Sequence, residues 1–184
     1  MKITVRDFFT IPNSLSYIRL LLIPVFMIQY LTATETKNFY LAGIIIVFSG
    51  LTDLLDGIIA RKLNQITELG KLLDPVADKL TQVAVIICLM SRYEMMWIII
   101  LLFIAKELFM AINDIILYRQ GKKLDGAKWF GKIATAVFYA CMTFLIAFPS
   151  IQATTAASLM IITGFFLTLS FVLYGREFYK MYQK

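Results

Sequence analysis

The 184-residue sequence contains no histidine. That excludes a histidine-based zinc site, a Ser–His or Cys–His nucleophile, and a histidine switch near neutral pH. Two cysteines are too few for a disulfide scaffold. Cys88 and Cys141 each stand inside a long apolar run, where a thiol serves as a small packing group. Charge is scarce too. Asp, Glu, Lys and Arg make up 16% of the chain, against roughly 25% in soluble domains. What is present in excess is apolar: 60% of residues, with a mean hydropathy of +0.77. A disordered chain cannot be this apolar, and the balance is that of an integral membrane protein. In such a chain the net charge of +6 is better matched to anionic lipid headgroups than to nucleic acid, and no nucleic-acid partner is expected.

A helix crosses ~30 Å of hydrocarbon with ~20 mostly apolar residues. Six stretches qualify, at about 14–31, 38–63, 70–90, 95–118, 129–148 and 155–179. Polar or helix-breaking clusters separate them at 32–37, 91–94, 120–128 and 149–154. The expected fold is all-α: six transmembrane helices in one domain over 1–184. An additional short amphipathic helix is expected on the membrane surface within residues 2–13. Basic residues divide unevenly between the two sides. Fifteen, among them Arg19, Arg61, Arg119 and Lys132, fall with the termini and the loops near 61–70 and 119–129. Lys37 and Arg92 alone fall opposite, and Lys106 lies within a span. By the positive-inside rule both termini and those two loops are cytoplasmic.

Acidic residues cost free energy in a bilayer, so their positions carry information. Five of the twelve fall from Asp53 to Asp78, and four of these are aspartates. Offsets of three, four and seven share a helical face. Asp53, Asp56, Gly57 and Ala60 therefore form one stripe at the end of the second span. Gly70, Asp74 and Asp78 form another at the start of the third, and a short loop lets the stripes face each other. Four converging carboxylates repel unless cations compensate, and with no nitrogen or sulfur donor nearby the fitting guest is a hard ion, Mg²⁺ or Mn²⁺. Gly57, Ala60 and Gly70 leave room beside the backbone, and Arg61 supplies a fork suited to phosphate oxygens. Together these features describe a diphosphate site. A cation transporter would instead spread acids across mid-membrane positions of several broken helices. Here they gather at one end of two.

The pattern Asp-x2-Asp-Gly-x2-Ala-Arg-x8-Gly-x3-Asp-x3-Asp from Asp53 to Asp78 resembles the signature of the CDP-alcohol phosphatidyltransferase family. Its eight fixed residues match by chance about once in 10¹⁰ registers. The run Ile11-Pro-Asn-Ser-Leu-Ser-Tyr-Ile-Arg19 and the stretch from Leu73 to Lys79 resemble those of bacterial phosphatidylglycerophosphate synthases and related cardiolipin synthases. The resemblance implies transfer of a phosphatidyl group from CDP-diacylglycerol to an alcohol, with release of CMP, on the cytoplasmic face of a bacterial-type plasma membrane. It implies that Asp53, Asp56 and Asp74 hold two divalent ions and that Asp78 is the general base. It also implies that Gly57, Ala60, Arg61 and Gly70 border the nucleotide, and that the chain is a homodimer. Thr52 is a further candidate nucleotide contact, or else back-bonds to its own helix.

The acceptor expected from the resemblance is glycerol-3-phosphate. A phosphorylated acceptor calls for cationic side chains, and Lys106, Arg119 and Lys132 are the candidates. Lys106 stands inside a span beside Glu107, which marks it for function or for a self-contained pair. The glycerophosphate-using branch leads one to expect Arg at 106 and another arginine near 114. Lys106 lacks the fork and Asp114 reverses the sign. Phosphatidylglycerol, giving cardiolipin, is therefore the alternative acceptor.

Overall fold

A computed structural model describes residues 10–62, 67–122, 126 and 128–183. Among them are six helices and no strand: α1 (Ile11–Leu31), α2 (Thr36–Lys62), α3 (Glu68–Met90), α4 (Met96–Arg119), α5 (Trp129–Ala147) and α6 (Ala153–Tyr182). Five of these, all but α3, are long and apolar enough to cross a membrane. At 23 residues, α3 is long enough but carries Lys71, Asp74, Asp78 and Lys79 in its first half. The protein is an all-helical integral membrane protein, and the expected spans differ from the helices by only a few residues. The surface helix expected within residues 2–13 lies mostly outside the described residues.

The chain divides into two compact units, Met1–Leu89 with Thr143–Ser150, and Met90–Met142 with Ile151–Lys184. In the first, α1 starts at Thr10, whose side chain accepts a hydrogen bond from the Asn13 amide, with Pro12 in the first turn where a missing N–H costs nothing. It ends at Thr32, whose hydroxyl donates to the Ile28 carbonyl. At that end Gln29 donates to the Asn38 carbonyl and Tyr30 meets Phe39 edge to face, so α1 and α2 run antiparallel. Phe26, Tyr30, Ala42, Ile46, Ala77, Ala84, Val85 and Ile86 form the interior of this unit. Gly43 admits the Ala147 methyl, which would lie 3.3 Å from a Cβ there.

In the second unit, α4 closes on Gly121, which adopts the left-handed conformation (φ 73°) that lets Lys122 N–H reach back to the Leu117 carbonyl. Leu117, Phe130, Tyr174 and Phe178 pack into one buried cluster. Along α6 the buried residues Ala156, Met160, Thr163, Leu167, Ser170, Tyr174 and Phe178 follow helical spacing. Trp97, Leu101, Ile104, Leu108, Ile112 and Ile115 stay exposed on α4, an apolar face suited to lipid. Neither cysteine is in a disulfide and both are buried, as their positions in the sequence imply.

Candidate functional site

The acidic stripes lie in the first unit, at the end where α1 and α3 begin and α2 finishes. Local structure fixes that end. Thr67 caps α3: its hydroxyl oxygen accepts from the Gly70 amide (2.9 Å) and from Asn13 Nδ2 (3.0 Å), and its proton is donated to Asn13 Oδ1 (3.2 Å). Asn13, 1% exposed, thereby ties the first turn of α1 to the first turn of α3. One turn later on α1, Ser16 donates to Asp74 Oδ1 at 2.6 Å, a charge-assisted bond that orients this carboxylate.

Gly70 was singled out for the room it leaves, and the structure shows who takes that room. A Cβ at position 70 would stand 2.7 Å from Asn13 Oδ1 and 3.1 Å from Thr67 Oγ1. Gly70→Ala is therefore expected to lower thermal stability by about 1–3 kcal/mol through this overlap. Adding Asn13→Ala should return part of the loss. A Gly70→Ala protein as stable as the parent would show that the Asn13 contact imposes no constraint.

Arg19 lies three residues beyond Ser16 on α1. Sequence reading grouped it with the loop cations of the positive side; instead it is 2% exposed. Its Nη2 donates to Asp56 Oδ2, and its Nη1 stands 2.6 Å from Asp53 Oδ1. The signal was available, because a lone arginine within an apolar span is seldom an idle charge. Asn13 and Ser16 were missed for another reason: short polar residues in a first helical turn look like ordinary end-of-helix chemistry.

Asp53 links the two stripes. Half-exposed, it feels the charge of Arg19 and those of Asp74 and Asp78. Asp56 is buried against Arg19, and Asp78 stands 3.9 Å from Lys79. The two stripes are therefore coupled by charge through Asp53. The donors are hard carboxylate oxygens and the local balance calls for positive charge, so the donor set fits a divalent ion. Among the described residues, however, no three His, Cys, Asp or Glu side chains are grouped closely enough to hold one metal ion.

The other candidates are placed as follows. Thr52 is buried and its hydroxyl donates to the Ser49 carbonyl at 2.7 Å, the back-bond weighed for it above. Ala60 is partly buried near the end of α2, where Gly57 and Arg61 also belong to the helix. Toward the middle of the unit, Leu22, Ile23, Phe26, Ile45, Ile46, Ser49, Thr81 and Ala84 line an apolar crevice too narrow for a water molecule. Lys106, Arg119 and Lys132 belong to the second unit. Lys106 is 5% exposed and pairs with Glu107 at 2.5 Å, whereas Arg119 and Lys132 are exposed. On the same helix Asn113 accepts from the Tyr182 hydroxyl at 2.8 Å.

The family model for CDP-alcohol phosphatidyltransferases matches residues 9–171. The chain belongs to this family. Its members use CDP-diacylglycerol and an alcohol acceptor in a membrane, and are generally dependent on divalent metal. Among named relatives, the chain is 37% identical to a Mycobacterium tuberculosis protein called "Putative cardiolipin synthase" over 142 residues, 77% of this chain and 64% of the relative. It is 40% identical over 107 residues to the CDP-diacylglycerol–glycerol-3-phosphate 3-phosphatidyltransferase of Wigglesworthia glossinidia brevipalpis, covering 58% of this chain and 56% of the relative. The Escherichia coli (strain K12) protein of that same name is 30% identical over 165 residues, with 88% and 90% covered. The chain thus spans less than two thirds of the first two and nearly all of the third. This phosphatidyltransferase-family chain carries the full Asp53–Asp78 signature on α2 and α3.

Proposed function

We propose that the protein transfers the phosphatidyl group of CDP-diacylglycerol to the hydroxyl of glycerol-3-phosphate, giving phosphatidylglycerophosphate and CMP. The observation that carries this reading is that one stretch of α1 holds acids of both helices, Arg19 on Asp53 and Asp56 of α2 and Ser16 on Asp74 of α3. Family membership and the names of the Wigglesworthia and Escherichia relatives support it.

In this reading 1–184 is a single catalytic membrane domain. The site faces the cytoplasm, as do both termini, in a bacterial-type plasma membrane, because fifteen of the eighteen basic residues fall on that side. The partners are the lipid donor, the alcohol, the bilayer and, by family resemblance, a second copy of the chain.

Asp53, Asp56 and Asp74 would hold two divalent ions, Mg²⁺ or Mn²⁺, which neutralise the donor's diphosphate and the departing CMP. Arg61 binds a phosphate oxygen through its fork. Gly57 and Ala60 keep bulk away from the cytidine and ribose, Gly70 borders the site while admitting Asn13 of α1 against α3, and Thr52 Oγ keeps acceptor capacity for a nucleotide donor. Asp78 takes the proton of the acceptor hydroxyl as that oxygen bonds to the phosphatidyl phosphorus and the phosphorus–oxygen bond to CMP breaks. Ser16 keeps Asp74 oriented throughout. Lys106, Arg119 and Lys132 are the cations assigned to a phosphorylated acceptor.

Phosphatidylglycerol as acceptor is the second reading, favoured by Lys106 and Asp114 and by the name of the mycobacterial relative. One assay separates the two. Purified protein is given CDP-diacylglycerol, Mg²⁺ or Mn²⁺, and either glycerol-3-phosphate or phosphatidylglycerol, with CMP and lipid product scored. CMP release dependent on glycerol-3-phosphate is expected, falling to background with EDTA and returning with excess Mn²⁺. Turnover with phosphatidylglycerol alone replaces the first acceptor by the second, and absence of CMP with every acceptor rejects the transferase reading.

A further inference from the structure

Arg19 is the only charged side chain of α1, and it stands about two turns into the helix. A guanidinium offers five N–H donors. Here one of them, on Nη2, is donated to Asp56, while buried Nε and Nη1 find no well-directed acceptor among the described residues, even though Nη1 lies against Asp53. A buried arginine left this incompletely satisfied is held mainly by charge, since Asp56 is itself only 3% exposed and needs a counter-ion. The occupant is thus electrostatically necessary and geometrically imperfect.

We propose that Arg19 is a positioning residue that serves as the protein's own counter-ion to Asp53 and Asp56, and that divalent ions compete with it for the same carboxylate oxygens. The inference rests on the reading that the acidic cluster takes divalent ions, and adds to it what the cluster does without them. One guanidinium draws the two carboxylates of α2 together and prevents their repulsion from opening the end of the helix pair. An incoming ion of charge two balances the four acids better than one guanidinium, and its arrival releases Arg19 from Asp53 and Asp56.

The test is Mn²⁺ binding to purified protein, followed by the paramagnetic resonance signal of free Mn²⁺, with thermal unfolding in EDTA and in saturating Mn²⁺. In Arg19→Gln the Mn²⁺ dissociation constant is expected to tighten about tenfold, since the competitor is gone. Its unfolding temperature should fall in EDTA and return to the parent value in Mn²⁺. Arg19→Lys keeps one positive charge without the fork and covers the case in which the glutamine variant does not fold. It should show a smaller tightening and the same metal-dependent recovery. An unchanged dissociation constant with an equal loss of stability in both buffers makes Arg19 a structural ion pair only and overturns the proposal. Failure of the parent protein itself to bind Mn²⁺ rejects instead the divalent-ion reading beneath it, and the two failures are thereby told apart.

Discussion

Asp78→Asn is expected to lower the rate of CMP release by about 10²–10⁴-fold, the range for loss of a positioned general base. The substitution keeps shape and removes the group that receives the acceptor's proton. Asp78 stands on α3 one turn after Asp74, near Lys79, and its charge reaches Asp53. Removing that charge lessens repulsion within the cluster, so thermal stability should hold or rise, and CDP-diacylglycerol binding, measured at equilibrium without acceptor, should stay close to that of the parent. Loss of donor binding in proportion to loss of rate would make Asp78 part of the ion-holding set. Unaltered turnover would remove it from the site.

The second large effect separates two acids that the signature treats alike. Asp56→Asn and Asp53→Asn should each reduce turnover to background, because each removes an oxygen from the proposed ion-holding set. Their effects on stability should differ. Asp56 is buried with Arg19, and removing one partner of a buried ion pair costs about 3–5 kcal/mol. Arg19 keeps Asp53, so the lower end of that range is expected, a fall of about 6–12 °C in Tm for a chain of this size. Asp53 is 47% exposed, and solvent screens its pairing to roughly 1 kcal/mol or less. Thermal unfolding in EDTA of both variants checks this ordering, and equal losses would show that burial does not distinguish the two carboxylates.

Much of this site was legible from residue order. Helical spacing alone put Asp53 with Asp56 and Asp74 with Asp78, and the short segment between α2 and α3 brought the pairs to one end. The role of α1 was not legible in that way. Asn13, Ser16 and Arg19 lie far from the signature in sequence, and nothing in their spacing states which helix they face. Four long-range contacts assign them: Asn13 to Thr67, Ser16 to Asp74, and Arg19 to Asp53 and to Asp56. Gly70 gained a reason by the same route, since the neighbour that forbids a side chain there comes from α1.

The sequence by itself determined the solvent and the elements. Runs of apolar residues long enough to span hydrocarbon must form helices, since an unsatisfied backbone group in lipid costs several kcal/mol. The same penalty on charge keeps Asp53 and Asp56 toward the end of α2, and gives Glu107 in mid-α4 its Lys106 partner. Tertiary structure decided which charges meet. An arginine counted among surface cations became the buried partner of two aspartates, and one acid of that pair became buried while its neighbour one turn away stayed open to solvent. Periodicity specifies the face of a helix, but the identity of the opposing side chain depends on how separate helices pack, and that packing sets the pairing and burial on which the strength of each charge depends.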